Sequence, residues 1–386
     1  MALRVGFNAT PLLSPLTGIG QYIVNLGRSL VATGEVDAYS FYGHRWRHEA
    51  PAPPPGLRGG DDPQRLLRDI KPFIPFKREL RHAQQQFLFG RGARRFGLDI
   101  YHEPNYVPIG YDAPVVVTVH DLSWMRYPQT HPADRVRWLE RSMPSALARA
   151  AAILVDSDFI RQEVLATFGL DPARVHTVHL GVSSAFRPRS RDETRAALSA
   201  LDLVHGQYVL AVGTIEPRKN IGHVVAAYAR LPERLRRRYP LVIAGASGWR
   251  AADLERELHA LTARGEVRFL GRVPDEDLPI IYAGAAAFVF ASVYEGFGLP
   301  PLEAMASAVP VLVADRAALP ELTAEAAVKL DPERPDDTSS KLAELLDDAA
   351  MQAEFAGRGQ RRAAVFTWEA CAHRTLRVYR AVEAAA

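Results

Sequence analysis

Short apolar runs rich in valine and isoleucine recur along this sequence and alternate with longer amphipathic or alanine-rich stretches. Each run is nearly continuous in apolar residues, which is typical of strands that helices cover on both faces. The repeated strand–helix–strand order predicts parallel sheets joined by right-handed crossovers. The predicted strands lie in residues 3–9, 99–105, 115–122, 151–157, 174–182, 208–215, 241–247, 267–273, 286–292 and 309–316.

These strands are too many for one doubly wound sheet, and 386 residues suffice for two domains of ordinary size. A polar segment, 183–207, separates two similar halves. We therefore predict an α/β fold with two Rossmann-like domains, 1–183 and 206–365, that face each other across a cleft. Helices are predicted between the strands, for example over 19–34 and 222–239, and a last helix over 366–386.

The composition excludes several classes of protein. Hydrophobic residues make up 48% and charged residues 24%, which is close to the soluble average and unlike a disordered or collagen-like chain. No run reaches the ~18 apolar residues of a membrane span, and the first residues lack a signal-peptide layout, so we expect a cytoplasmic protein. A single cysteine, Cys371, excludes an internal disulfide and a zinc site built on several cysteines. The formal charge of +3 is weak evidence for a nucleic-acid partner, and we expect none.

One segment, 64–96, concentrates positive charge. It holds nine lysines and arginines against Asp69 and Glu79, with phenylalanines interleaved among them. Such a segment can lie on an anionic membrane surface or bind an anionic acceptor. A solvated arginine-rich helix with a buried apolar stripe has the same pattern, so both interpretations stay open.

Candidate functional residues follow the predicted strands, because ligands of open α/β sheets bind at the carboxyl ends of the strands. Gly18 and Gly20 follow the first strand and open a helix, and His120 follows the strand at 115–119. The strand at 208–215 is followed by Glu216-Pro217-Arg218-Lys219-Asn220, and the strand at 286–292 by the segment from Val293 to Met305.

The last of these segments suggests a sugar nucleotide. Gly296 and Gly298 allow backbone conformations that other residues resist, and the prolines after them suit the first turn of a helix, whose N-terminus attracts anions. Two carboxylates beside a phosphate would repel it, so Glu295 and Glu303 are predicted to accept hydrogen bonds from sugar hydroxyls. Arg218 and Lys219 supply the positive charge that a diphosphate leaving group requires. Together these residues predict a site for a nucleotide diphosphate joined to a sugar.

The same segments carry a family resemblance. The E-x7-E element Glu295-GFGLPPL-Glu303, with VGTIEPRKN (212–220) and FLGRVPDEDLPIIYAGA (269–285), resembles the retaining GT-B glycosyltransferases of family 4. In the first half TGIGQY (17–22), YHEPNYVP (101–108) and VVTVHDLSWMRYP (116–128) agree with that family. The resemblance implies a GT-B fold whose first domain meets the acceptor and whose second domain binds the donor. It also implies that the last helix braces the first domain.

The resemblance implies a role for each candidate residue. Arg218 and Lys219 would bind the donor diphosphate, Glu303 the ribose hydroxyls, and Glu295 the sugar or its developing charge. His120 would lie near the sugar as an orienting or charge-stabilising catalytic residue. The implied donor site also includes the glycines that let the backbone approach the diphosphate, the residues that flank the base and the amides that hold the sugar or phosphate: Gly18, Gly20, Gly213, Arg272, Val273, Phe297, Gly298 and Leu299.

The implied reaction is transfer of a hexose, with retention of configuration, to a glycan or lipid-linked glycan. The resemblance is greatest to bacterial mannosyl- and rhamnosyltransferases of surface polysaccharide synthesis, so GDP-mannose or a GDP-deoxyhexose is the expected donor. Neither a cofactor nor a metal is expected, since the positive side chains would replace a metal. A double displacement with Glu295 as nucleophile is an alternative. A lipid-linked acceptor and segment 64–96 would place the enzyme peripherally on the inner membrane face.

Three other interpretations are weighed against this one. Asp156-Ser157-Asp158 has the form of the Asp-x-Asp metal site of another glycosyltransferase class, although a helix cap is favoured for it. A dehydrogenase would need a third glycine where Ile23 stands. An inactive protein that only binds nucleotide sugars is the non-enzymatic alternative.

Asp121 is predicted either to cap the following segment or to orient His120.

Overall fold

The computed structural model describes residues 2–14, 16–54, 77–110, 113–246, 262 and 265–386. They form two compact α/β units. The first unit comprises Met1–Leu122, Arg137–Gly181 and Trp368–Ala386, and the second comprises Ser123–Val136 and Val182–Thr367. The predicted fold class, α/β with two parallel-sheet domains, is thus confirmed.

The sheet of the first unit has the strand order β3-β2-β1-β4-β5-β6-β7. All neighbouring strands pair in parallel except β3, which is antiparallel to β2 at the sheet edge. The strands are β1 Leu3–Asn8, β2 Val36–Phe41, β3 Trp46–Arg47, β4 Ile100–Glu103, β5 Val115–Val119, β6 Ala152–Val155 and β7 Val175–Thr177.

The sheet of the second unit is entirely parallel, with the order β10-β9-β8-β11-β12-β13. Central strands such as β9, β11 and β12 are buried along their whole length, as helix-covered strands must be. The strands are β8 Val209–Val212, β9 Leu241–Ala244, β10 Val267–Gly271, β11 Ala287–Phe290, β12 Val311–Ala314 and β13 Val328–Leu330.

The described helices lie between these strands and at the chain's end. They are α1 Gly18–Ala32, α2 Lys77–Phe96, α3 Ser123–Arg126, α4 Ala133–Arg149, α5 Asp158–Phe168, α6 Arg191–Ser199, α7 Ile221–Ala229, α8 Glu233–Arg238, α9 Leu278–Ala283, α10 Leu299–Ala306, α11 Leu319–Thr323, α12 Pro335–Asp347, α13 Ala349–Ala363 and α14 Trp368–Ala385. No helix of these described residues is long and apolar enough to cross a membrane.

Two sequence predictions about helices differ from the structure. The stretch 222–239 is not one helix: α7 ends at Ala229 and α8 begins at Glu233. Pro232 lies between them, and proline disfavours helical geometry in the residue before it. The polar segment 183–207 is not merely a connection, because it contains α6, which Ser190 and Glu193 cap reciprocally, and it belongs to the second unit.

The last helix, α14, is part of the first unit and is fastened there by a buried polar network. His102 on β4 is fully buried; its Nδ1 lies 2.6 Å from the Tyr379 hydroxyl on α14, and its Nε2 lies 2.7 Å from the Thr118 hydroxyl on β5. Burial lowers the pKa of His102 to about 3, so the ring is neutral at physiological pH. Because a neutral imidazole has one donor and one acceptor, the two hydroxyls satisfy both nitrogens.

Candidate active site

In the second unit, four charged side chains meet at the carboxyl end of β8. A short 3₁₀ turn, Pro217–Lys219, follows this strand and presents Arg218 and Lys219. Arg218 Nη1 donates to Glu295 Oε2 at 3.2 Å, and Lys219 Nζ donates to Glu295 Oε1 at 2.6 Å. Arg218 Nη2 donates to Glu216 Oε1 at 2.8 Å. Two cations and two carboxylates therefore balance within this cluster.

The main chain also holds the cluster together. Arg218 Nη1 donates to the carbonyl of Tyr294, and the Arg218 carbonyl accepts from the Val293 amide at 3.0 Å and the Ser292 hydroxyl at 3.1 Å. The turn after β8 and the loop after β11 are thus bonded to each other. Because the two strands are adjacent in the sheet, their ends bring together residues that are 77 positions apart.

Glu295 is ionised in this setting. Only 8% of the residue is exposed, and burial by itself would raise the pKa of its carboxyl group. The Lys219 ammonium and the Arg218 guanidinium outweigh burial and hold this pKa below its usual range. The Glu295 carboxylate therefore binds Arg218 and Lys219, the two side chains that the sequence analysis assigns to the donor diphosphate.

The loop before α10 is shaped by Gly298, which has φ +133° and directly precedes the helix. This φ is strained for residues other than glycine, and a Cβ at Gly298 would also lie 2.8 Å from Leu319 Cδ2, which would have to shift. The Phe297 side chain is buried with its ring against Phe366, so only its backbone can serve a ligand. Leu299, the first residue of α10, is half-buried.

Glu303 lies on α10 and is half-buried. Burial raises the pKa of its carboxyl group to about 7, and the nearby Asp275 carboxylate acts in the same direction. This carboxyl therefore changes its charge near neutral pH. Among the described residues it makes no ion pair with the Arg218 cluster.

The ends of β8, β9 and β10 come very close through three glycines. The Gly213 amide donates to the Ala244 carbonyl at 2.9 Å, and the Gly245 amide donates to the Gly271 carbonyl at 2.8 Å. A Cβ at Gly245 would lie 1.9 Å from the Gly213 carbonyl oxygen. Arg272 and Val273 follow Gly271, exposed and half-buried respectively, and they lie two strands away from the Arg218 turn.

In the first unit, the predicted glycine loop lies at the start of α1. Gly18 is the first residue of this helix, and a Cβ there would have no neighbour within 4 Å. Gly20 is buried, and its Cβ would lie 2.8 Å from Leu16 Cδ2. The smallness of Gly20 is therefore needed for local packing, whereas Gly18 borders open space.

His120 follows β5 and is bonded through both ring nitrogens. Nδ1 lies 2.7 Å from Asp156 Oδ2, and Nε2 lies 2.9 Å from the Pro104 carbonyl oxygen. The Tyr22 ring meets the imidazole edge-on, with 4.8 Å between ring centroids. The partner of His120 is Asp156, a residue that the sequence analysis did not assign to it; Asp121 instead accepts from the Tyr106 hydroxyl at 3.0 Å.

The three side chains of the Asp156-Ser157-Asp158 triplet make three different contacts. Asp156 bonds His120, and Ser157 caps α5 by accepting from the Ile160 amide. Asp158 accepts from the Thr177 hydroxyl on β7. Among the described residues there is no group of three or more His, Cys, Asp or Glu residues placed to hold a metal ion.

Comparison with known proteins identifies relatives over nearly the whole chain. Residues 16–186 match the family model described as Glycosyltransferase Family 4, and residues 203–362 match Glycosyl transferases group 1. O-antigen chain mannosyltransferase B of Escherichia coli is 36% identical over 387 residues, which cover 98% of this chain and 100% of that protein.

Solved structures agree on the fold. Sucrose-phosphate synthase from Thermosynechococcus elongatus superposes with a TM-score of 0.75 at 20% identity and full coverage of both chains. Anabaena HepE, solved with UDP and glucose, gives a TM-score of 0.72 at 15% identity and covers 98% of this chain and 100% of its own. Both similarities support the GT-B architecture of two parallel-sheet domains.

Proposed function

This chain belongs to glycosyltransferase family 4, and we propose that it is a retaining, metal-independent mannosyltransferase that uses GDP-mannose to extend a surface polysaccharide. The full-length similarity to an O-antigen mannosyltransferase supports the sugar and the acceptor class. A GDP-linked deoxyhexose is the second donor on this proposal. The acceptor is a glycan or lipid-linked glycan.

The observation that carries the proposal is that Arg218 and Lys219 both pair with the Glu295 carboxylate. A donor diphosphate brings its own negative charge to these cations and can replace the carboxylate. Glu295 is thereby released toward the sugar, while the cations neutralise the leaving group. Such preorganised charge is the largest contribution to catalysis in many enzymes.

The chemistry we propose needs no enzyme nucleophile. The acceptor hydroxyl attacks the anomeric carbon from the face that the diphosphate leaves, the bond from that carbon to the phosphate oxygen breaks, and the departing phosphate takes the hydroxyl proton. Arg218 and Lys219 stabilise the phosphate as its charge grows. The ionised Glu295 carboxylate would stabilise the positive charge on the sugar, and the same ionised state would serve the alternative double displacement.

The donor is tested by incubating the purified protein with GDP-mannose, a GDP-deoxyhexose, UDP-glucose and UDP-galactose, each with and without EDTA. We expect hydrolysis and thermal stabilisation with GDP-mannose, unchanged by EDTA. Activity that EDTA removes would support the Asp-x-Asp alternative. Stabilisation without any turnover, also with a polysaccharide primer present, would indicate an inactive binding protein.

Glu303 makes nucleotide binding depend on pH. A ribose needs hydrogen-bond acceptors, which the ionised carboxylate supplies best, and the pKa of about 7 places ionisation near neutrality. We expect GDP to bind more tightly as pH rises from 6 to 8 and to lower this pKa when bound. Glu303→Gln should weaken binding at pH 8 by about 10- to 100-fold, the value of a charged hydrogen bond. Calorimetry in buffers of different ionisation enthalpy measures the proton released; equal proton release by both proteins would contradict this role.

A membrane contact through α2 is a further part of the proposal. The described part of the basic segment exposes 67% of Phe87, with Arg91, Arg94 and Arg95 exposed on the same helix; residues 64–76 lie outside the described residues. We expect the protein to sediment with vesicles of anionic phosphatidylglycerol and Phe87→Ser to reduce the bound fraction severalfold. Val365→Ser is the control, because Val365 is also exposed, at 58%, but lies in the second unit. Equal losses in both variants would contradict a specific contact.

A further inference from the structure

We propose that Asp156 is a positioning residue of this enzyme: it keeps His120 doubly protonated and thereby fixes the imidazolium between its own carboxylate and the Pro104 carbonyl. The importance of this arrangement for catalysis rests on the proposed function, together with the place near the donor sugar that the family resemblance implies for His120. The protonation of the pair is argued independently of that function, from its hydrogen-bond geometry and its charged surroundings.

The geometry requires an additional proton. His120 Nδ1 faces a carboxylate oxygen at 2.7 Å and Nε2 faces a carbonyl oxygen at 2.9 Å. A carbonyl and an ionised carboxylate only accept hydrogen bonds, whereas a neutral imidazole has a single N–H to donate. One of the two nitrogens of a neutral ring would therefore direct its lone pair at an oxygen. An imidazolium facing the ionised carboxylate satisfies both contacts, whereas a neutral ring would satisfy them only if Asp156 itself carried the proton.

The surroundings favour the charged ring. Burial alone would lower the pKa of His120, but the Asp156 carboxylate outweighs burial and raises it, and Asp121 adds to this effect. Asp156 itself is only 2% exposed, so removing the imidazolium would leave a buried carboxylate without its counter-charge. The titratable groups that face the pair from the surrounding elements are Tyr22 on α1, His102 on β4, Asp121 after β5, His179 after β7 and Cys371 on α14.

These groups do not compete for the proton. Burial keeps His102 neutral and raises the pKa of Tyr22 and of the Cys371 thiol, so both of these also remain uncharged. Burial raises the pKa of the Asp156 carboxyl group, whereas His120 and, to a smaller extent, His179 oppose burial and favour the ionised carboxylate. Asp156 is consequently the carboxylate that holds the proton on His120.

The pair joins three neighbouring strand ends. Pro104 follows β4, His120 follows β5 and Asp156 follows β6, and these strands are adjacent in the sheet. Because both ring N–H groups are used inside the unit, the imidazole has none left to donate to a substrate. Asp156 therefore acts through His120, by setting the position of the main chain at this sheet edge and the charge of the ring.

The proton is tested directly by NMR of protein labelled with ¹⁵N-histidine, with His120→Gln used to identify the His120 signals. At pH 7.5 we expect both ring nitrogens of His120 to show the shifts of an imidazolium. In Asp156→Asn the same ring should be neutral, with one unprotonated nitrogen. A neutral His120 in the unsubstituted protein, or an imidazolium in Asp156→Asn, would overturn the proposal. If Asp156→Asn does not fold, the pH titration of the unsubstituted protein still decides it.

Catalysis is tested separately. Asp156→Asn should lower kcat about 10- to 100-fold, by analogy with the cost when a metal-binding histidine loses the carboxylate that orients it, with little change in donor KM. As pH rises, the activity of Asp156→Asn should also decline at a lower pH than that of the unsubstituted protein, because its His120 ring loses the proton below pH 7.5. Asp158→Asn is the matched control, because this carboxylate lies on the same turn but contacts Thr177, and it should leave kcat and the His120 signals unchanged. Imidazolium signals in a protein that turns over no nucleotide sugar would reject the proposed function and keep the protonation result.

Discussion

Glu295→Gln is expected to reduce mannosyl transfer by about 10²- to 10³-fold, the usual loss when one preorganised charge contact to a transition state is removed. The affinity for GDP should not fall, and it should increase modestly. The carboxylate neutralises Arg218 and Lys219 at 3.2 and 2.6 Å, so its replacement by an amide leaves the cations with more net positive charge for the diphosphate. Turnover and calorimetric GDP binding, measured on the same preparation, separate the two effects.

Glu216→Gln is the matched control for this experiment. The Glu216 carboxylate contacts the same guanidinium as Glu295, at 2.8 Å, but among the described residues it makes no ion pair with the Lys219 ammonium; only the Glu216 main-chain carbonyl accepts from the Lys219 amide. We expect GDP affinity to change in the same direction and turnover to fall less than about tenfold, because an amide oxygen can still accept from Arg218. If both substitutions reduce turnover equally, Glu295 serves only to orient Arg218 and has no role at the sugar.

Sequence patterns could predict the charged cluster because its residues follow strands. The alternation of apolar runs and helices indicates where β8 and β11 end, and the topology of parallel sheets brings their carboxyl ends to one edge. The direct ion pairs of Glu295 with both cations could not be predicted, since they depend on the path of two loops separated by 77 positions. The sequence therefore predicted a sugar contact for Glu295. It did not predict that Arg218 and Lys219 pair with the Glu295 carboxylate and keep it ionised.

The contact between Asp156 and His120 was not predicted from the sequence. A polar triplet after a strand and before a helix is most often a cap, and Ser157 does cap α5. Nothing in the spacing distinguishes the cap from the neighbouring carboxylate that bonds His120. Sheet topology could have predicted the contact: β5 and β6 are adjacent, so the residues that directly follow each strand can meet.

The strands that the sequence analysis missed lie at sheet edges or carry polar residues. β2 contains Asp37 and Ser40, and the two-residue β3 pairs with β2 and with no other strand of the described residues. β13 is three residues long, and within the part of the chain that the structure describes it has β12 as its single neighbouring strand. Edge strands need less continuous apolarity because helices and neighbouring strands cover them incompletely, so hydrophobic runs detect central strands far better.

Gly245→Ala is expected to lower the free energy of unfolding by about 1–3 kcal/mol, the typical cost of inserting a methyl group into a packed region, and to reduce turnover by about 10²-fold. The new methyl group would lie 1.9 Å from the Gly213 carbonyl oxygen, so one of the two strand ends has to move. The moving segment after β8 leads directly into the turn that carries Arg218 and Lys219. Urea unfolding and GDP binding measure the two consequences.

Gly357→Ala separates this local clash from the general effect of replacing a glycine. Gly357 lies within α13 of the same unit, and its Cβ would meet only the end of the Arg361 side chain at 3.5 Å. Alanine there should raise the free energy of unfolding by about 0.5–1 kcal/mol and leave turnover unchanged. If Gly245→Ala is destabilised yet binds GDP normally, the β9 end has yielded instead of the β8 end, and the close approach of the glycines serves the fold without setting the position of the cations. If it binds GDP poorly, the backbone contact between Gly213 and Gly245 fixes where Arg218 and Lys219 meet the diphosphate.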